Sequence, residues 1–179
     1  DIDILFFGSE SLRRKKIYEA LKRELPSNCV IEWKCNSIWG EKRASLIARS
    51  KIVLNIHHDL SKGILEIPRL LYLLSQKQFV LSERGRNLRT NDKWENNLKF
   101  ISTSKKAIGS STTELINACR HYLYSENAEA ERNLIAKNGY LWVKTQKFGI
   151  PENFVLEHTK TQENNEITVN KETNKKKIT

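Results

Sequence analysis

Lys51-Ile52-Val53-Leu54-Asn55-Ile56-His57-His58-Asp59 decides how this chain folds. Its apolar residues run without the polar alternation of a half-solvated strand, the pattern of a strand buried on both faces. It breaks off in His57-His58-Asp59, so a polar loop leaves the strand's carboxyl end. Working outward, Ile2 to Phe7 repeats the pattern and ends at Gly8-Ser9. Gln78-Phe79-Val80-Leu81-Ser82 and the shorter Lys99 to Ser102 follow it downstream, and Cys29-Val30-Ile31-Glu32-Trp33 is the remaining strand candidate.

The segments between these runs have helical spacing. Leu12, Ile17, Ala20, Leu21 and Leu25 form one stripe, with Ser9 or Ser11 as N-cap and Pro26-Ser27-Asn28 as stop. Glu41 to Arg49 and Ile64 to Ser75 read as further helices, Pro68 being tolerated in a first turn. Thr112 or Thr113 opens another, and Asn127 to Gln146 a last one that Gly139 is expected to break or bend. Apolar strands alternating with helices predict an α/β fold, a Rossmann-like parallel sheet with helices on both faces.

A chain of 179 residues that is 39% hydrophobic and 29% charged has the material for one ordinary domain, expected over 1–157. From His158 the composition turns to Thr, Asn, Lys and Glu, and 158–179 is expected to be a disordered tail. No apolar run approaches the ~18–20 residues of a membrane span, and the opening residues lack the basic start of a signal peptide. Cys29, Cys35 and Cys119 are spaced for neither a disulfide framework nor zinc, so the expected home is the cytosol. The lack of any Met suggests an excised domain. Net charge is +10, concentrated in Arg13-Arg14-Lys15-Lys16 with Lys22 and Arg23, and more loosely in Arg84, Arg86 and Arg89. Basic residues attract polyanions, but no nucleic-acid-reading module is recognisable, and nucleic acid is not the expected partner.

Parallel sheets bind ligands at the carboxyl ends of their strands, near helix N-termini. Three loops therefore matter. In Gly8-Ser9-Glu10-Ser11-Leu12-Arg13-Arg14 a glycine permits close approach of backbone, and Arg13 or Arg14 suits phosphate. It is neither G-x-G-x-x-G nor a P-loop. In Asn55 to Asp59, adjacent histidines on extended chain point opposite ways and do not share a metal easily; each suits a hydrogen bond to ligand or acid–base chemistry. Glu66 and Arg69 stand three apart on one helix face, where Glu66 can accept from a ribose diol or simply pair with Arg69.

Ser50 to His57, then Ile64-Leu65-Glu66-Ile67-Pro68-Arg69, then Phe79-Val80-Leu81-Ser82-Glu83 resemble the donor-binding half of GT-B glycosyltransferases, of the glycosyl transferases group 1 type and its spore-coat-protein-like relatives. Ala130 to Val143, with Gly139 and an aromatic, is similar to that family's closing helix. The resemblance covers about residues 1–147. It implies one half of a GT-B fold binding a nucleotide sugar as donor substrate, with no other cofactor and no metal. Glu66 would hold the nucleotide ribose, and Gly8, Ser9, Arg13 and Arg14 the diphosphate loop. Asn55, Arg69, Ser82 and Glu83 would complete the donor site, and His57, His58 and Asp59 would border the donor sugar. Many retaining members carry a second Glu eight residues before the ribose Glu; here His58 stands there. The acceptor domain is absent from this chain, so an N-terminal domain or partner chain is implied. Two other readings stand beside this one: a catalytically silent interaction module with an aromatic patch at Trp33 and Trp39, and a basic polyanion-binding domain.

Overall fold

In a computed structural model the chain divides into Asp1–Thr145 and Gln146–Thr179, and residues 1–35, 38–86, 93–102 and 109–146 are described. The tail predicted over 158–179, the end of the domain predicted over 1–157, and Arg89 lie outside them.

Among the described residues five parallel strands form one sheet: β1 (Ile2–Gly8), β2 (Ile31–Cys35), β3 (Ser50–Asn55), β4 (Val80–Ser82) and β5 (Lys99–Phe100), in the order β2-β1-β3-β4-β5. Among the described residues five α-helices join and cover them: α1 (Leu12–Glu24), α2 (Gly40–Ala48), α3 (Ile67–Ser75), α4 (Thr112–Tyr124) and α5 (Ala128–Thr145). This is the Rossmann-like α/β layering that the buried strands predict. Strand alternation sorts side chains into two cores. Ile4, Phe6, Ile52 and Leu54 meet Ile17, Leu21, Leu115 and Cys119 of α1 and α4 on one face. Leu5, Phe7 and Val53 meet Leu46, Ile47, Leu70, Leu73 and Leu74 of α2 and α3 on the other.

Four local expectations shift. Leu12 is 71% exposed rather than part of the buried stripe; it lies five residues before Ile17, about 140° round the helix at 3.6 residues per turn. β2 begins two residues late because Val30 is occupied by β1: its N–H donates to the Asp3 carboxylate, and its carbonyl accepts from Asp3 and Ile4. α3 starts at Ile67, so Pro68 still sits where a missing N–H costs nothing. Gly139 does not break α5, which runs unbroken from Ala128 to Thr145. A Cβ there would collide with the Asn97 carbonyl and come within 2.7 Å of Leu74 Cδ2, so the glycine lets α5 seat on the turn before β5.

Candidate functional site

Strand order reverses between β1 and β3, and in open parallel sheets that switch point leaves a crevice outside the carboxyl ends of the strands. β1 ends there in Gly8, where a Cβ would lie 3.2 Å from the Phe6 ring, 3.3 Å from Arg14 Nη1 and 3.5 Å from Arg69 Nη1. Arg69 comes from the first turn of α3. Its Nη2 donates to the Phe7 carbonyl at 2.6 Å, its guanidinium lies 4.3 Å over the Phe7 ring, and its Nε is buried with no hydrogen bond. Burial pulls its pKa down to about 10, partly countered by the charge of Glu66. Glu66 is the N-cap residue of α3, but its side chain caps nothing; the carboxylate stands 3.6 Å from Arg69 and its side chain is 48% exposed.

Beside Gly8 opens a cavity of about 240 Å³ lined by Phe7, Gly8, Ser9, Lys34, Ile38, Trp39 and Arg43. Trp39 is 74% exposed. Arg43 from α2 lies 5.5 Å over Trp39, 5.1 Å over Tyr72 and 5.9 Å over Phe7, and its buried Nε makes no hydrogen bond. Such a cation among aromatic faces is held by their quadrupoles and keeps polar donors in reserve.

The other side of the same edge is closed. Glu83, one residue past β4, is fully buried. Its carboxylate accepts from the His57 N–H at 2.7 Å, the Ser110 N–H at 2.8 Å, the Ser110 hydroxyl at 2.7 Å, and both Nη atoms of Arg13. Arg13 Nη1 also donates to the His57 carbonyl at 2.9 Å. One carboxylate thus ties the loop after β3, the start of α1 and the start of α4 together. Gly109, at φ +78° where glycine is at ease, lays its backbone against Leu60 beside this knot.

The remaining predicted residues are placed as follows. Arg14 is buried and donates to the carbonyls of Ile56 and Ser9 and to the Ser9 hydroxyl, and burial lowers its pKa. Asn55 Nδ2 donates to Ser82 Oγ at 2.9 Å, which donates to the Glu83 carbonyl, all inside the sheet. His57 is buried, and its Nε2, facing the Arg84 carbonyl at 2.8 Å, must carry the proton. His58 is exposed with Nε2 2.9 Å from the Glu10 carbonyl. Asp59 accepts from the Ser61 N–H and hydroxyl, both at 2.8 Å, and so caps the 3-10 turn Leu60–Lys62.

Gly8 and Ser9 thus line the cavity, Arg69 reaches Gly8 while bonded to the Phe7 carbonyl, and Glu66 stands beside Arg69, whereas Arg13, Arg14, Asn55, His57, Ser82 and Glu83 bond to one another or to backbone. Lys34 has no local signal in the sequence, and the one that could have found Arg43 is its place four residues after Trp39, a spacing that brings two side chains together on a helix. Trp39 was read in the sequence as part of an interaction patch, together with Trp33. Trp33 is half-buried, stacked on Phe6 at 4.2 Å and on Tyr18 at 5.2 Å. Ser110 and Ser111 had a visible signal, because Ser111-Thr112-Thr113-Glu114 spells a capping box and both of its reciprocal bonds form. Among the described residues no three His, Cys, Asp or Glu side chains gather as a metal-ligating group, and no helix is long and apolar enough to cross a membrane.

No protein-family model matches the chain. It is similar to an uncharacterized protein of Acanthamoeba polyphaga mimivirus, 38% identical over 65 residues, which is 36% of this chain and 20% of the viral protein. The chain thus matches about a fifth of that relative's length.

Proposed function

We propose that this chain is the donor-binding domain of a glycosyltransferase and takes a nucleotide-activated sugar at the carboxyl ends of β1 and β3. The observation that supports it is the meeting of Gly8, Arg69 and Glu66 beside a cavity walled by Phe7 and Trp39. A nucleobase stacks on the exposed face of Trp39, where base–aromatic contact contributes on the order of 1–3 kcal/mol. The ribose diol donates to the Glu66 carboxylate, which has no backbone donor to compete. The diphosphate lies against the bare Gly8 backbone with Arg69 as counter-charge. Sugar transfer needs an acceptor held in the same water-excluding cleft, which a further domain or a partner chain supplies.

The test is calorimetric titration of the chain with UDP, GDP and the matching nucleotide sugars. Saturable micromolar binding, lost in Glu66→Ala while the variant melts like the parent, is the expected result. A folded chain that binds none of them ends the donor reading. One observation favours a second reading, a catalytically silent interaction module: Trp39 is exposed enough to anchor a protein partner. Quenching of Trp39 fluorescence by nucleotide is the outcome that excludes it.

A further inference from the structure

On the far side of the Arg13–Glu83 knot, the surface changes character. Leu12 and Leu60, 71% and 39% exposed, line a cavity of about 650 Å³ together with Lys16 and Thr112. Leu12 and Lys16 continue into a shallow groove along α1 with Lys15 and Arg23. Lys15 and Lys16 are exposed, and neither meets a carboxylate among the described residues; Lys22 rests its ammonium 5.5 Å from the Tyr18 ring. No acidic residue occupies the first turn of α1. Acids border the surface too: the Glu114 carboxylate accepts from Ser111 of the cavity lining at 2.9 Å. Glu19 lines the groove, and Asp59 is committed to Ser61. Arg13 adds no free charge, since Glu83 neutralises it.

We propose that this face of α1, with Leu60, docks on an anionic lipid bilayer. Exposed leucines beside unpaired lysines are what an interfacial surface requires: the ammonium groups reach the anionic headgroups, and the leucines enter the acyl boundary. A polynucleotide satisfies the lysines equally well but offers Leu12 no apolar depth, so the leucine separates the two. The inference rests on these residues alone.

The experiment is flotation of the full chain with phosphatidylcholine vesicles, with and without phosphatidylserine. Binding is expected only with phosphatidylserine present and is expected to weaken as salt is raised. Lys15→Glu with Lys16→Glu should lower the vesicle-bound fraction by roughly tenfold or more, and Leu12→Ser several-fold. All three positions are exposed, so a melting curve matching the parent certifies each variant. Absence of binding to phosphatidylserine vesicles overturns the proposal. So does binding that survives lysine reversal, or binding that Leu12→Ser leaves unchanged, which would mark a general polyanion surface of the kind that takes nucleic acid. Nucleotide titration of the same samples reads the donor site separately, so failure of one result leaves the other standing.

Discussion

Arg13–Glu83 and Arg69–Glu66 are both arginine–carboxylate pairs at the carboxyl edge of one sheet, yet they are built to opposite ends. Glu83 is wholly buried and every hydrogen bond it offers is taken, by two loops and a helix. Glu66 is half in solvent, accepts nothing from backbone, and sits 3.6 Å from an arginine whose Nε has no partner. The first pair holds the edge together; the second leaves valences for something else. Composition alone does not separate them. The discriminating quantity is how much hydrogen-bonding capacity remains after the fold has used what it needs.

The sharpest way to break this contrast is Glu83→Ala. Removing the carboxylate strands Arg13 and two N–H groups, and the expected loss is about 3–5 kcal/mol of stability, read from urea unfolding. A loss no greater than that of a surface substitution would make the knot incidental. Gly139→Ala should cost about 1–3 kcal/mol by overpacking against Asn97 and Leu74, with no change in nucleotide affinity. That variant shows whether destabilisation by itself can mimic loss of binding. Trp39→Ala should leave stability within about 0.5 kcal/mol and lower nucleotide affinity roughly tenfold, as seen by calorimetry. Equal affinity in that variant moves the base out of the cavity beside Gly8.

The smallest effect concerns pH. Bonds from the Ser111 N–H and hydroxyl hold the Glu114 carboxyl below its ordinary value of 4.5. A carboxyl depressed on folding stabilises above its unfolded pKa and loses that contribution as pH falls through the folded one. Ser111→Ala should therefore cost about 1 kcal/mol near neutrality, and the gap to the parent should narrow as pH drops below 4.5. Urea midpoints across a pH series measure it.

How far the sequence carried follows from the range of each determinant. β1, β3 and β4 were legible because burial on both faces leaves an apolar run that needs no partner to be recognised. The start of β2 was not, since it depends on where Val30 bonds to Asp3 and Ile4. Of four consecutive cations, Arg14 turns inward and Lys15 and Lys16 outward. Arg14 lies on the Ile17–Leu21 stripe, a phase that the sequence contains but that four identical charges disguise. Glu66 and Arg69 were readable as a pair because helical spacing fixes them locally. Arg43 was not, because only Trp39, four residues before it, is local, while Phe7 and Tyr72 come from distant parts of the chain.

The position of β1 has a consequence for synthesis. Both of its edges are used, one by β2 and the other by β3, so the first of these five strands to be made is an interior strand of the finished sheet. On a ribosome, Ile4-Leu5-Phe6-Phe7 emerges with two rows of unanswered backbone groups and must wait for both neighbours to be translated. Parallel pairings close late because each encloses a long loop. Nascent chains of this protein should thus pass through an interval in which a bare apolar strand is open to chaperones, or to another copy of itself.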